Sequence, residues 1–345
     1  MKIALFTTGG TIASVPTDRG LTPGLSGEAL LRLCPDLMGF DHDIEVIDIL
    51  SKDSSNMQPA DWFLMANRIR SHAPACDTVV LLHGTDTMTW TAAALSYLLN
   101  DVPVPVVLTG SMLTPDAPGS DASDNIFAAI QFAMQLAMYR RRGVSIAFGE
   151  GLIHGPRAAK ADSSGATPSR RSHAFISVDY PLRGEMKDRG THRIAWLSPQ
   201  TPRLAEERPW GPSPAVERNI ALLPVFPGMR TALLDTVVDA GPRAIVLEGY
   251  GLGGIPSVGE DLLPSIKRGI DAGVPFVVRT QALLGGTDLD VYEVGRQALE
   301  LGVISARDLT REALMTKIML TLPLCSGRDE LEHLLGVNLC DDVLL

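Results

Sequence analysis

Short apolar runs that alternate with longer helical stretches are the feature that most constrains this fold. The runs "TVVLL", "VPVVLT" and "VSIAF" are apolar on both faces, which is typical of parallel strands buried between helices. The alternation therefore favours an α/β fold with a mainly parallel sheet. In the first half of the chain it predicts strands over 3–7, 44–50, 78–82, 104–109 and 144–149.

The stretches between these strands carry the signals of helices, which are predicted over 59–71, 87–99 and 123–139. Pro59 suits the first position of a helix, and Ser123 suits an N-cap. After a break, the same rhythm resumes in the last third of the chain. There it predicts strands at 219–225, 243–248 and 274–280 and helices near 230–240, 259–272, 290–301 and 310–321.

The length of 345 residues favours two domains. The alternation breaks from about 189 to 216, where the chain is rich in proline, charged and polar residues and reads as a linker. We therefore predict a larger N-terminal α/β domain at 1–188, a linker at 189–216 and a smaller α/β C-terminal domain at 217–345.

The bulk composition limits the partners. A formal net charge of -10 argues against nucleic acid or an anionic membrane as the main partner. The four cysteines form no C-x-x-C pair, so we expect neither a metal site nor a disulfide framework. The chain shows no secretory signal pattern and no apolar run near the ~20 residues that span a bilayer. A cytoplasmic protein with reduced thiols is the expectation.

Polar motifs follow several predicted strands. Each alone is also typical of a turn or a helix cap, but the carboxyl ends of parallel strands share one edge of a sheet, where ligands collect. Their common position therefore predicts a site. The motifs are "TTGGT" at 7–11, "DSSN" at 53–56, "HGTDT" at 83–87, "TGS" at 109–111 with Asp121 beyond it, and Arg157 with Lys160.

These residue types point to acyl transfer. The sequence lacks a G-x-S-x-G elbow, a phosphate-binding P-loop and a His/Cys cluster for zinc. A threonine hydroxyl is a weak nucleophile until a base or a relay takes its proton. Lys160 near Asp86 would form a polarised Thr–Lys–Asp unit, and N–H groups of the glycine loop would hold an oxyanion. The prediction is amide hydrolysis through a threonyl ester, without a metal or other cofactor.

The motifs together resemble the bacterial L-asparaginase/glutaminase family. The resemblance runs in order from residue 3 to about 322 and includes "TTGGTIAS" at 7–14, "LLHGTDTMTWTA" at 81–92, "VVLTGSM" at 106–112 and "RAAK" at 157–160. It implies hydrolysis of L-asparagine to L-aspartate and ammonia. It also implies a homo-oligomer, a dimer or a tetramer built from close dimers, with sites at the subunit interface.

The resemblance also implies roles for individual residues. Thr11 would be the covalent nucleophile, and Thr85, Asp86 and Lys160 would form a second catalytic triad. Asp86 would also bind the α-ammonium group of a small amino-acid substrate, since a zwitterion needs an anion for its ammonium and donors for its carboxylate. The other substrate contacts would be Ser54 with Ser55 at the α-carboxylate, and Ser111 with Met112 near the side-chain amide.

Two positions depart from the family pattern. Many relatives carry a tyrosine in the mobile loop after the first motif, where it helps to activate the first threonine. The matching loop here, 15–24, contains no tyrosine and has Leu21 near the expected place. Asp18, a water molecule or a residue of a partner subunit would then polarise Thr11, and the loop would still act as a lid. Gly254 stands where relatives often carry an asparagine.

Three alternatives stay open. A glutaminase differs by one methylene of substrate, worth only ~1–3 kcal/mol of discrimination. The amide-hydrolysing component of a tRNA-dependent amidotransferase normally carries an extra N-terminal domain, whereas Met1 here leads straight into the first strand, which disfavours that assignment. A catalytically inactive amino-acid sensor would keep Asp86 and Ser54 but would have no need of Thr11.

Overall fold

The computed structural model describes residues 1–34, 43–188, 190–198, 208–211 and 213–344. The chain divides into two compact units, Met1–Leu204 and Ala205–Leu345. The first contains a mainly parallel sheet and the second a smaller parallel sheet with helices, which confirms the predicted fold class. The predicted linker falls partly on residues outside those described. Within it, Arg193–Trp196 forms a strand, so this stretch is not irregular throughout.

The first unit holds most of the secondary structure. Its strands are β1 (Lys2–Gly9), β2 (Ser14–Thr17), β3 (Gly20–Pro23), β4 (Asp43–Lys52), β5 (Thr78–Leu82), β6 (Pro105–Thr109), β7 (Gly143–Phe148), β8 (Gly151–His154), β9 (Ala158–Lys160), β10 (Phe175–Ser177), β11 (Gly184–Asp188) and β12 (Arg193–Trp196). Its helices are α1 (Gly27–Arg32), α2 (Pro59–His72), α3 (Met88–Leu98), α4 (Ala122–Met138) and α5 (Pro168–Ser172).

The main sheet has the strand order β12-β11-β8-β7-β6-β5-β1-β4. Strands β4, β1, β5, β6 and β7 are parallel, and β8, β11 and β12 extend the sheet with antiparallel pairs. Strand β1 pairs with β4 on one side and with β5 on the other, so the winding of the chain reverses there. In sheets of this kind a ligand crevice opens beyond the carboxyl ends of the two strands at the reversal.

Burial explains why these segments form. Every residue of β5 and of β6 is buried, as strands covered on both faces require. Helix α3 is apolar around most of its circumference and is almost wholly buried. Pro59 takes the first position of α2 as predicted. Ser123 is not an N-cap, because α4 already begins at Ala122.

The second unit contains a four-stranded parallel sheet in the order β13-β14-β15-β16. The predicted strands and helices in this part of the chain are confirmed, and β16 and α10 are additions. The elements are β13 (Ile220–Pro224), α6 (Thr231–Asp239), β14 (Ala244–Gly249), α7 (Leu263–Asp271), β15 (Phe276–Thr280), α8 (Glu293–Glu300), β16 (Ile304–Ser305), α9 (Arg311–Thr321) and α10 (Arg328–Gly336). Among the described residues, no helix is both long and apolar enough to cross a membrane.

Candidate active site

Three loops meet beyond the carboxyl ends of β1, β4 and β5, and two glycines make their contact close. Gly10 has a φ of 80°, and a Cβ placed on it would lie 2.2 Å from the Cα of Gly84. A Cβ on Gly84 would lie 2.5 Å from Oγ of Ser54. The two glycines therefore serve a close approach of backbones, and each is followed directly by a candidate catalytic threonine.

The other threonines of the first motif stabilise the strand ends. The hydroxyl of Thr7 donates to Asp48 at 2.6 Å, and that of Thr8 donates to the carbonyl of Leu82 at 3.0 Å. The N–H of Gly10 donates to the carbonyl of Lys52 at 2.9 Å. The predicted oxyanion donors of the glycine loop therefore do not include Gly10.

Lys160 lies against both Thr85 and Asp86, although some 75 residues separate it from them in sequence. Its ammonium group donates to Oγ1 of Thr85 at 3.0 Å and to a carboxylate oxygen of Asp86 at 2.6 Å. The lysine side chain is only 16% exposed, whereas that of Asp86 is 60% exposed. The structure thus brings together the predicted Thr–Lys–Asp unit and leaves its carboxylate accessible.

Short elements position the members of this unit. Thr85 opens a single 3-10 turn, Thr85–Thr87, and α3 follows directly. The N-cap of α3 is Thr87, and neither Thr85 nor Asp86 caps this helix. Lys160 ends β9, which pairs with β10 in a two-stranded antiparallel ladder that places Phe175 opposite the lysine. The lysine therefore sits on regular backbone, which limits the freedom of its stem.

Thr11 begins the 3-10 turn that follows β1 and is partly exposed. The turn is fixed by Gly10, whose carbonyl accepts bonds from the N–H of Ala13 at 3.0 Å and from the hydroxyl of Ser14 at 2.8 Å. Among the described residues, no hydrogen bond to the hydroxyl of Thr11 is formed. The two threonines therefore differ: the hydroxyl of Thr85 is held by an ammonium group and that of Thr11 is not.

The loop after Thr11 is a small hairpin made of β2 and β3. Leu21, near the place of the tyrosine in relatives, is exposed and pairs across the hairpin with Pro16. Asp18 lies at the exposed tip between the two strands. The hairpin thus carries no phenol toward Thr11, in keeping with its sequence.

The two serines after β4 have different environments. Ser54 is buried, lies against Gly84 and accepts a bond from the hydroxyl of Thr87 to its carbonyl at 2.8 Å. Ser55 is exposed, and its N–H donates to the carboxylate of Asp53 at 2.8 Å. Asp53 therefore caps this short turn rather than α2.

The segment after β6 forms another wall near the strand ends. Ser111 is fully buried and donates its hydroxyl to the carbonyl of Leu113 at 2.5 Å. Asp121 accepts the N–H groups of Met112 and Leu113 at 3.0 to 3.1 Å. Asp121 also occupies the N-cap position of α4, which the sequence assigned to Ser123, and its carboxylate bonds both to this loop and, at 3.0 Å, to the side-chain NH₂ group of Asn125 in α4.

Two further residues belong to the segments around the site. Arg171, at the end of α5, donates to the carbonyls of Gly165 and Gly119 at 2.9 Å each, and so joins the loop after β9 to the loop before α4. His83 is fully buried directly before Gly84. A buried histidine was one interpretation of the motif "HGTDT" in the sequence, whereas Arg171 was not singled out.

Comparison with known proteins identifies the relatives of this chain. A model of the asparaginase N-terminal domain matches residues 2–198, and a model of the glutaminase/asparaginase C-terminal domain matches residues 219–335. The chain belongs to the asparaginase family. It is 37% identical to an L-asparaginase of Thermococcus kodakarensis over 99% of both chains.

A solved structure and a relative with a different named reaction are also similar to this chain. The structure of the thermostable L-asparaginase from Thermococcus kodakarensis aligns with a TM-score of 0.86 and covers 100% of both chains at 35% identity. The chain is also 33% identical to a glutamyl-tRNA(Gln) amidotransferase component of Methanopyrus kandleri, over 99% of this chain and 75% of that protein. Thermococcus is an archaeon, so the family membership is not specifically bacterial, and relatives with a different named reaction share the fold.

Proposed function

We propose that this protein hydrolyses L-asparagine to L-aspartate and ammonia through a threonyl acyl-enzyme. The observation that carries the proposal is the simultaneous contact of Lys160 with Thr85 and Asp86, next to the loop that presents Thr11. A lysine that contacts both a hydroxyl and a carboxylate suits proton movement during acyl transfer.

In this proposal the substrate is held by its α-amino-acid group. Asp86 uses one carboxylate oxygen for Lys160 and is exposed enough to receive an α-ammonium group. Ser54 would donate its hydroxyl to the α-carboxylate, with Ser55 beside it. Ser111 and Met112 would border the side-chain amide.

The reaction would proceed in two balanced steps. Oγ1 of Thr11 attacks the amide carbon, and its proton is passed on so that the nitrogen leaves as ammonia. Water then cleaves the threonyl ester, which releases aspartate and restores the hydroxyl. Thr85, Lys160 and Asp86 would relay protons and stabilise charge. The candidates for the first proton acceptor at Thr11 are Asp18, a water molecule and a residue of a partner subunit.

The test is steady-state release of ammonia by the purified protein from L-asparagine, D-asparagine and L-glutamine side by side. The proposal predicts the highest kcat/KM for L-asparagine. A preference for glutamine would make the protein a glutaminase of the same fold, an alternative that the amidotransferase relatives keep relevant. Calorimetric binding of these amino acids with no turnover of any of them would instead support a sensor.

We further propose that the protein is a cytoplasmic homo-oligomer, a dimer or a tetramer, that uses no cofactor. The four cysteines all lie among the described residues and form no disulfide there, which suits a reducing compartment. Light scattering at micromolar concentration measures the oligomeric state. A monomer that retains full activity would contradict a site shared between subunits.

A further inference from the structure

A chain of buried hydrogen bonds runs from helix α2 through α3 to the backbone that precedes Thr85. The indole nitrogen of Trp62 lies 3.2 Å from Oγ1 of Thr91, and that oxygen lies 3.0 Å from Nε2 of His83. The other ring nitrogen of His83, Nδ1, lies 2.7 Å from the carbonyl oxygen of Gly84. All three side chains are buried, so this network is closed to solvent.

The direction of each bond follows from its end groups. A carbonyl oxygen only accepts, so Nδ1 of His83 must carry a proton. An indole N–H only donates, so Thr91 accepts from Trp62. Burial lowers the pKa of His83 to about 4, which keeps the ring neutral at neutral pH. With its one proton on Nδ1, the neutral ring has an acceptor at Nε2, and Thr91 donates its own proton to it.

The backbone of Gly84 depends on its neighbours for a fixed conformation. A side chain at this position would collide with Ser54, so it is restricted to glycine, the residue with the greatest backbone freedom. The peptide between Gly84 and Thr85 is planar and trans, so its C=O and N–H groups point in opposite directions. A carbonyl held toward buried His83 therefore directs the N–H of Thr85 away from the core.

We propose that His83 is a positioning residue for the hydrolytic site: its Nδ1–H group fixes the Gly84–Thr85 peptide and thereby the turn that presents Thr85 and Asp86 to Lys160. This inference rests on the proposed function. His83 acts through Gly84 and contacts neither substrate nor reacting atoms. The rigid helices α2 and α3 anchor the network through Trp62 and Thr91.

A matched pair of variants separates this role from simple packing. Asparagine and leucine have similar shapes, but only asparagine places an N–H donor near the position of Nδ1. We expect His83→Leu to lower kcat for asparagine by about tenfold or more, the equivalent of one lost hydrogen bond, with a smaller change in KM. His83→Asn should keep kcat within a few-fold of wild type. Equal kcat values in the two folded variants would overturn the proposal, whatever their thermal stability.

The bond between Thr91 and His83 can be tested with a second pair of variants. Thr91→Ser keeps the hydroxyl that orients the ring and should preserve kcat, whereas Thr91→Val removes it and should lower kcat. Wild-type turnover by Thr91→Val would show that the ring does not depend on this bond. Circular dichroism and thermal melting of each variant report the folded fraction to which kcat is referred.

Two readouts do not depend on turnover and so separate this inference from the proposed function. Nitrogen-15 NMR of the His83 ring should show the neutral tautomer protonated at Nδ1, and the Nε2-protonated tautomer would overturn the proposal. Backbone amides of residues 85–87 should exchange hydrogen faster in His83→Leu than in His83→Asn, and equal exchange would count against it. If wild type hydrolyses neither asparagine nor glutamine, the proposed function fails, while these two measurements still decide the role of His83.

Discussion

Gly10 and Gly84 touch so closely that a Cβ atom on Gly10 would lie 2.2 Å from the Cα of Gly84. The overlap is with backbone, which cannot rotate away as a flexible side chain would. Gly10 also has a φ of 80°, a backbone conformation that residues with a side chain rarely adopt. This pair of residues therefore joins the two loops that carry Thr11 and Thr85.

The first prediction follows from that contact. Gly10→Ala should lower the free energy of unfolding by roughly 3 kcal/mol or more, from backbone strain and overpacking together. It should also abolish turnover, because Thr11 is the next residue. Chemical denaturation and ammonia release measure the two effects.

Gly228→Ala is the matched control for this prediction. Gly228 has a φ of 87°, but no atom of the described residues lies within 4 Å of a Cβ built there. It should cost about 1 kcal/mol, from strain alone, and leave kcat unchanged. Similar losses in the two variants would show that the contact with Gly84 adds nothing.

Lys160 provides the second prediction. Lys160→Met keeps most of the apolar stem but removes the ammonium group that contacts Thr85 and Asp86. If this group takes part in proton transfer, kcat should fall by about a hundredfold or more. Lys187→Met is the control. Lys187 also pairs with a carboxylate, that of Glu185, but both residues lie on β11, whereas Lys160 lies on β9. An equally small decrease in kcat for both variants would mean that Lys160 forms an ordinary ion pair and takes no part in proton transfer.

Elements could be predicted from the sequence where burial produces a clear pattern of apolar residues. Contacts between residues far apart in the chain could not. Strand β5 was predicted over its full range because five consecutive apolar or β-branched residues are buried. Strand β9 was missed because "AAK" has neither length nor strand propensity. Lys160 was a candidate only through its motif, since nothing local shows that it reaches Thr85. The network behind Gly84 could not be foreseen because its members come from α2, from α3 and from the segment that follows β5.

The third prediction concerns the two adjacent serines. Ser54 is buried against Gly84, whereas Ser55 is exposed. If Ser54 donates to the substrate α-carboxylate, Ser54→Ala should raise KM by roughly tenfold to a hundredfold, the range for a hydrogen bond to a charged group. Ser55→Ala should change KM less. A larger effect at Ser55 than at Ser54 would reverse their assignment.

The fourth prediction tests the nucleophile. Thr11→Val keeps the shape of the side chain but removes the hydroxyl, and should lower kcat by about a thousandfold or more while affecting substrate binding much less. Thr11→Ser retains an attacking oxygen and should keep measurable turnover. Mass spectrometry after rapid acid quench should show an acylated peptide containing residue 11 in wild type. Near-normal kcat in Thr11→Val would remove the covalent role of this residue.

The fifth prediction is a pH dependence of stability that comes from buried histidine. Burial lowers the pKa of His83 to about 4, against 6.5 for an exposed ring, although the Gly84 carbonyl and the carboxylate of Asp61 partly oppose the shift. Asp61 on α2 is itself paired with Lys52 at 2.7 Å. As pH falls below 6.5, the unfolded chain takes up a proton before the folded chain does, so folding becomes less favourable. The stability is fully present above pH 6.5 and declines toward pH 4 by as much as about 3 kcal/mol.

Urea denaturation at intervals between pH 7 and pH 4 measures this decline. Burial also lowers the pKa of His154, with Arg183 and Arg157 adding to the shift, so part of the slope belongs to that residue. The share of His83 is the difference between wild type and His83→Asn, which has no titrating ring at this position and should lose stability less steeply as the pH falls. Parallel curves for the two proteins would mean that His83 is protonated in the folded state as readily as in the unfolded chain. In a protonated ring Nε2 would donate to Thr91 instead of accepting from it, whereas the bonds from Trp62 to Thr91 and from Nδ1 to the Gly84 carbonyl would keep their directions.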